Sequence, residues 1–182
     1  MNDRGLELVR FAMAGSRDAY GLLVMDFTGF VYTMALRFTG DHHMAEDLCQ
    51  DIFLKGWLRI RDLKEPGAFP GWIATLARRT CLTALEKRRR RMELHEGEAD
   101  LENLNPSFPE SFDPARRILE EAMMRLTLQE RELLTMCYFQ EMDSVEAGEI
   151  AGLPPGTVRV YLHRARKKLY NMLKGRENEL LG

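Results

Sequence analysis

Apolar residues recur along this chain at steps of three and four, the spacing that aligns one face of an α-helix, and almost nowhere in the alternation expected of a strand. Leu23, Phe27, Phe30, Val31, Met34, Ala35 and Phe38 form one such run, which stops at Gly40-Asp41. Asp41 is a suitable N-cap for a second helix with Met44, Leu48 and Ile52 turned inward and Asp47, Gln50 and Asp51 on another face. Leu63 to Pro70 holds Pro66, Gly67 and Pro70, too many breakers for a helix, and predicts a loop. Helix resumes at Gly71-Trp72, with Ile73, Leu76, Ala77, Thr80 and Ala84 inward. From about Met92 to Pro114 the period disappears. Beyond it Ile118, Leu119, Ala122, Met123 and Leu126 make one amphipathic helix, and Leu133, Leu134, Cys137 and Tyr138 another. The pattern is all-α: two small helical domains, 1–92 and 115–182, joined by a flexible linker, 93–114.

The last quarter carries a sharper signal. Val158, Leu162, Ala165, Leu169 and Leu173 fall at helical intervals and predict one buried stripe, which leaves Arg159, His163, Arg164, Arg166 and Lys167 outside it. Pro155 suits a first helical turn, where its missing N–H is no loss, and Gly152 permits a sharp exit from a preceding helix over Ser144 to Ala151. Small Ala147 and Gly148 let the two helices cross closely, with Val158 filling the gap, which is a helix-turn-helix arrangement. A solvated basic C-terminal helix is the plainer reading of the same residues.

Charge sharpens this picture. The 182 residues hold 26 Lys and Arg against 28 Asp and Glu, a net charge of -2, so attraction to a polyanion has to come from local patches. Cations cluster at 78, 79 and 87 to 91, acids dominate from 93 to 121, and from 153 to 176 there are only cations, at 159, 164, 166, 167, 168, 174 and 176. The acidic stretch includes Pro106, Pro109 and Pro114, a composition that stays extended. Cys49, Cys81 and Cys137 are far apart and read as small core residues in a reducing compartment. No apolar run approaches the length of a membrane span, so no membrane insertion is expected and the protein reads as cytoplasmic. His42, His43, His95 and His163 form no metal or triad pattern; no metal, no cofactor and no enzymatic activity are expected.

Several segments in order resemble the bacterial RNA polymerase sigma factors of the extracytoplasmic-function type. Ala45-Glu46-Asp47-Leu48-Cys49-Gln50-Asp51-Ile52-Phe53-Leu54-Lys55-Gly56-Trp57 is similar to the family's AEDLxQExFLxxW segment, and Trp72-Ile73 with Leu76-Ala77 to its WLxxIA segment. Ala122 to Leu126, Arg131, Gly156-Thr157-Val158-Arg159 and Arg164-Ala165-Arg166 resemble its ALxxL, R, GTV[K/R] and RAR elements. The resemblance implies a second and a fourth sigma domain, no catalytic centre, and promoter DNA and core RNA polymerase as partners. Docking would involve the clamp helices of the largest subunit and the flap of the second-largest, and an anti-sigma factor would mask the free protein.

By that resemblance Asp47, Gln50, Asp51, Phe53, Leu54 and Trp57 would dock on polymerase, although Phe53 and Trp57 could equally be core. Phe69, Trp72, Arg78, Arg79, Lys87 and Arg88 would grip the melted minus-10 strand, with Phe69 and Trp72 either core or stacking platforms. Thr157, Arg159, Tyr161, His163, Arg164, Arg166 and Lys167 would meet the minus-35 duplex, and Lys168 would add a phosphate contact. The chain departs from the family at Arg79 and Thr83, commonly Asn and Asp or Asn, and at Val160-Tyr161, commonly Ser-Arg. A stand-alone helix-turn-helix regulator remains the alternative reading; it would bind duplex DNA without polymerase.

Overall fold

The computed structural model describes residues 1–94, 114–139, 141–174 and 176, and every regular element among them is helical. The predicted acidic tether, apart from its ends, lies outside the described residues. Helix α1, Asp3–Met13, was not among the elements anticipated from the sequence; Asn2 caps it by accepting from the Gly5 N–H, and Val9 and Ala12 are buried. Helix α2, Arg17–Thr39, starts at the Ser16 cap and ends at Gly40, whose φ of 65° is the left-handed turn a C-cap requires. This helix is long and apolar enough to cross a membrane, contrary to the expectation from sequence. Here it is the central core helix, packed on by α1 and by the helices described next.

Helix α3, His42–Arg59, is capped by Asp41, whose carboxylate accepts from the Met44 N–H. The breaker-rich segment is shorter and more ordered than predicted: two 3-10 turns, Ile60–Asp62 and Pro66–Ala68, lead directly into α4, Phe69–Leu94. Pro66 and Pro70 stand in first turns, where no partner is lost with the missing N–H. Phe69 is therefore not a loop residue. It is fully buried, edge-on to Phe27 at 5.1 Å, and is corrected from candidate DNA contact to core.

After the undescribed stretch come α5, Pro114–Met124, and α6, Leu128–Leu134, the latter opened by a Thr127–Glu130 capping box. A π turn, Thr135–Phe139, follows; it leaves Tyr138 half-exposed instead of inward as the period predicted. Helices α7, Ser144–Ala151, and α8, Pro155–Leu173, complete the chain. Helices α1, α3 and α4 pack on α2, while α5, α6 and α7 pack on α8. The halves also meet, α6 and the π turn against α2 and α7 against α4, so that Leu133, Met136, Ala147, Ala151 and Val158 belong to the same apolar core as Val31, Met34 and Cys81. At about 1.5–3 kcal/mol for each large apolar side chain fully buried, even a few such residues at the seam hold the halves together.

Candidate nucleic-acid interface

Helices α7 and α8 make the helix-turn-helix anticipated from sequence, with α7 over the anticipated Ser144–Ala151. Gly152 has φ 71°, and its N–H and that of Leu153 both close on the Gly148 carbonyl. Gly148 is fixed by crowding: a Cβ there would sit 2.5 Å from the Leu153 carbonyl oxygen and 3.5 Å from Val158. Val158 and Ala165 are fully buried, so the predicted stripe packs. On the other face Arg159, His163, Arg164, Arg166 and Lys167 are exposed, with Thr157 and Tyr161 half-buried at its margin. Arg159 reaches Ser144 at 3.3 Å, which steers its guanidinium along the α7–α8 mouth. An exposed row of cations on one helix, with the partner helix held behind it, is the shape that enters a major groove.

Lys168 has another task. Its ammonium lies 2.8 Å from the Glu130 carboxylate, which is almost fully buried, so it braces α8 to α6. Burial alone would raise the Glu130 carboxyl, but the bonds from Lys168 and Thr127 outweigh it and hold that carboxyl below the usual range.

The N-terminal half offers a different surface, a cleft of about 260 Å³ between α3 and α4 lined by Lys55, Arg59, Trp72, Thr75, Arg79 and Thr83, among others. Sequence reasoning picked out Trp72 and Arg79 as contacts but missed Lys55 and Arg59, which sit on the preceding helix and reach the cleft only through folding. The two departures from the family pattern on α4, Arg79 and Thr83, both line it. Trp72 is half-buried, with its ring 5.8 Å from that of Phe69. Three cations around a concave wall with one aromatic edge suit an unpaired strand better than a duplex. Lys87 is exposed and Arg88 half-buried, its guanidinium against the Met44 sulfur at 3.8 Å.

Arg78 is not in this cleft. Its Nε donates to Oε1 of Glu132 on α6, across the seam between the halves, and Glu132 is almost fully buried. Burial raises the Glu132 carboxyl above its ordinary value despite the neighbouring guanidinium.

The face proposed for a protein partner is also assembled. Asp47 and Gln50 are exposed on α3, Asp51 is half-exposed and bonded to Lys55 at 2.6 Å, and Leu54 is 59% exposed. Beside them lies an apolar cleft of about 330 Å³ between Arg17, Tyr20, Gly21, Phe53, Leu54 and Trp57. Phe53 is mostly core, and its carbonyl accepts from the Tyr20 hydroxyl at 2.6 Å, while Trp57 is half-buried against the Tyr20 ring at 5.2 Å. Leu58, which the sequence did not single out, is 71% exposed next to them. Gly56 lets the Tyr20 hydroxyl cross α3, where any side chain would collide with it. Among the described residues no cluster of His, Cys, Asp or Glu could hold a metal ion. Cys49 and Cys81 are buried thiols, and burial pushes Cys81 up to about 12, far from reactive.

The profile of Sigma-70 region 2 matches residues 23–91, and that of Sigma-70 region 4 matches residues 116–169. The chain is 32% identical over 170 residues to the probable RNA polymerase sigma factor RfaY of Xanthomonas campestris, covering 89% of this chain and 42% of that protein. It is 29% identical to the ECF RNA polymerase sigma factor BldN of Streptomyces coelicolor, covering 93% of this chain and 66% of that protein. The chain thus spans less than two thirds of the length of either relative. The fold matches that of the sigma factor RpoE of Bartonella quintana, solved with the anti-sigma factor NepR, at a TM-score of 0.68 and 23% identity over 84% of this chain and 93% of that one.

Proposed function

Because the chain belongs to the sigma-70 family, among the ECF RNA polymerase sigma factors, we propose that it directs promoter-specific transcription initiation by core RNA polymerase in the cytoplasm. In this reading the chain has no catalytic centre and polymerase forms the phosphodiester bonds. Residues 1–92 dock on polymerase and hold the melted minus-10 strand, and residues 115–182 read the minus-35 duplex, with 93–114 as the tether. The observation that carries the reading is that two cationic faces of different shape share one chain: an exposed row along α8 and a concave cleft between α3 and α4. One fits duplex, the other single strand, and a promoter being opened presents both.

In this reading Arg159 and Arg164, exposed on α8, contact base edges, with His163, Tyr161 and Thr157 beside them, and Arg166 and Lys167 contact phosphates. In the cleft Lys55, Arg59 and Arg79 take the backbone and Trp72 offers an edge to an unstacked base. Arg79 in place of Asn puts a charged donor in the cleft, so the minus-10 preference differs from that of relatives with the amide. Asp47, Gln50, Asp51, Leu54 and Trp57 take a basic, partly apolar partner such as the clamp helices of the largest subunit. The second domain meets the flap of the second-largest, and an anti-sigma factor covers these surfaces when the protein is idle.

The experiment is run-off transcription by purified core polymerase on a pool of genomic promoter fragments, with the protein or with Asp51→Arg. Transcripts that depend on the protein and vanish with Asp51→Arg are expected. Specific retention of duplex fragments by the protein alone, with no transcripts, would make it a stand-alone regulator.

A further inference from the structure

Two residues in the first turns of α8 are not accounted for by packing. Gly156 is exposed, has open space where a Cβ would stand and adopts no left-handed φ, so neither crowding nor backbone geometry asks for glycine there. Val160, one turn on, is 47% exposed, although valine is a poor helix former and an apolar side chain gains nothing from water. A single exposed valine is ordinary on a protein surface. The position of this one is not.

That position follows from helix geometry. Successive residues turn about 100°, so Val160, two after the fully buried Val158, lies nearly opposite the packed stripe. Gly156, Val160 and Arg164 stand one turn apart along the same outward row, with His163 and Lys167 beside them, all exposed. Arg159 is turned toward α7, where it meets Ser144 at 3.3 Å, and leaves the centre of the row to Val160. When a recognition helix enters a major groove, its first turns come nearest the base edges. Arg164 and Lys167 carry donors only and suit acceptors such as guanine O6 and N7, or phosphate. Valine offers neither donor nor acceptor. Among the four base pairs, the apolar group presented in that groove is the C5 methyl of thymine. Glycine one turn before lets the backbone approach closely enough for the isopropyl group to reach it. We propose that Val160 is a specificity-determining residue of the minus-35 contact, selecting thymine by its methyl group. The serine common at this position in the family has no apolar branch to offer, so the preference belongs to this chain. The inference rests on the proposed function in that α8 enters a duplex major groove.

The test changes one methyl group. Duplexes preferred by the full chain are recovered from a random-sequence pool, with and without core polymerase. Each thymine of the minus-35 element is then replaced in turn by deoxyuridine, which differs only in lacking that methyl. Affinities are compared for the natural protein, Val160→Ser and Val160→Thr, with circular dichroism to verify helix content. In the natural protein one thymine should be sensitive, its replacement weakening binding about fourfold, which corresponds to about 0.8 kcal/mol for one methyl-sized group buried. Val160→Ser should bind the thymine and uracil forms alike. Val160→Thr, which keeps one methyl branch, should fall between. A preferred element without thymine, or thymines that all tolerate uracil, overturns the assignment. So does a uracil effect of the same size in Val160→Ser, which would mean that the methyl acts through duplex shape instead of contact. If Val160→Ser loses helix, Val160→Thr decides by whether its uracil effect is smaller than the natural one. A thymine-selective duplex with no protein-dependent transcripts from core polymerase leaves Val160 standing and removes the sigma reading. Protein-dependent transcripts from promoters whose minus-35 thymines all tolerate uracil do the reverse, and no preferred sequence under either condition overturns both.

Discussion

Helices α4 and α8 both carry the cations that the sequence marks for nucleic acid, yet the fold treats them differently. On α8 the marked residues stay on the outer face, and the one cation withdrawn, Lys168, is tied to Glu130 within the same half of the molecule. On α4 the marked residues disperse: Phe69 enters the core, Trp72 and Arg79 line a cleft shared with α3, and Arg78 crosses to Glu132 in the other half. Helix α6 thus takes one cation from each, through carboxylates two positions apart. Amphipathic periodicity predicts which side of a single helix faces out. It does not predict which second helix will claim a side chain on a surface made from two.

The largest effect expected separates the two surfaces outright. Gly148→Val would drive a side chain into the Leu153 carbonyl and force α7 and α8 apart, at about 2–3 kcal/mol. Duplex binding should fall at least about tenfold, since 1.4 kcal/mol is a factor of ten in an equilibrium constant. Single-strand binding by the α3–α4 cleft should persist. Equal loss of both activities in filter binding would mean that the two surfaces are one cooperative unit.

Smaller substitutions resolve each face. Arg159→Ala or Arg164→Ala should cost about 1–3 kcal/mol on a preferred duplex and relax its sequence preference, with little change on single strand. Arg59→Ala or Arg79→Ala should weaken single-strand binding and lower the slope of log affinity against log salt by about 0.7, whereas Arg166→Ala should lower the duplex slope by about 0.9. Salt titrations of each variant on both forms of DNA measure this. Interchanged slopes would reverse the assignment of the two faces.

How much of this could be read in advance follows the same division. The α7–α8 turn was legible because its determinants are local: Gly148, Gly152, Pro155 and the Val158 stripe fall within a dozen or so positions. The inward stripes of α2 and α3 were legible for the same reason. Lys55 and Arg59 were not, because they join Trp72 and Arg79 only once α3 packs against α4. The pairing of Arg78 was not legible, because its partner Glu132 lies 54 positions away and a cation in a basic run gives no local sign that it is taken. Phe69 followed from placing a loop where Pro66 and Pro70 in fact begin helical turns. Helix α1 was missed although Leu6, Val9 and Met13 fall at helical spacing.

The subtlest difference lies in pH. Glu130 and Glu132 are both nearly buried and both paired with a cation, but their carboxyls shift in opposite directions. For Glu130 the bonds from Lys168 and Thr127 outweigh burial, so its folded value is depressed. The stability it contributes is present above the ordinary carboxylate range and is lost as pH falls through the folded value. For Glu132 burial outweighs Arg78, so its folded value is raised. Its contribution is fullest below the ordinary range and is lost as pH rises through the folded value. On acidification from neutrality the first change is therefore a gain from Glu132, followed by a loss from Glu130, and in the natural protein the two partly cancel. Substitution uncovers them. In urea unfolding followed by helix signal from pH 7 to about 3, bracketing the ordinary glutamate value, Glu132→Gln should remove the early gain and leave the acid loss. Glu130→Gln should leave the gain and blunt the loss. If both variants kept the natural profile, neither carboxylate would be held as the geometry of α6 implies, and the contrast between the brace on α8 and the seam on α4 would fail at its most direct point.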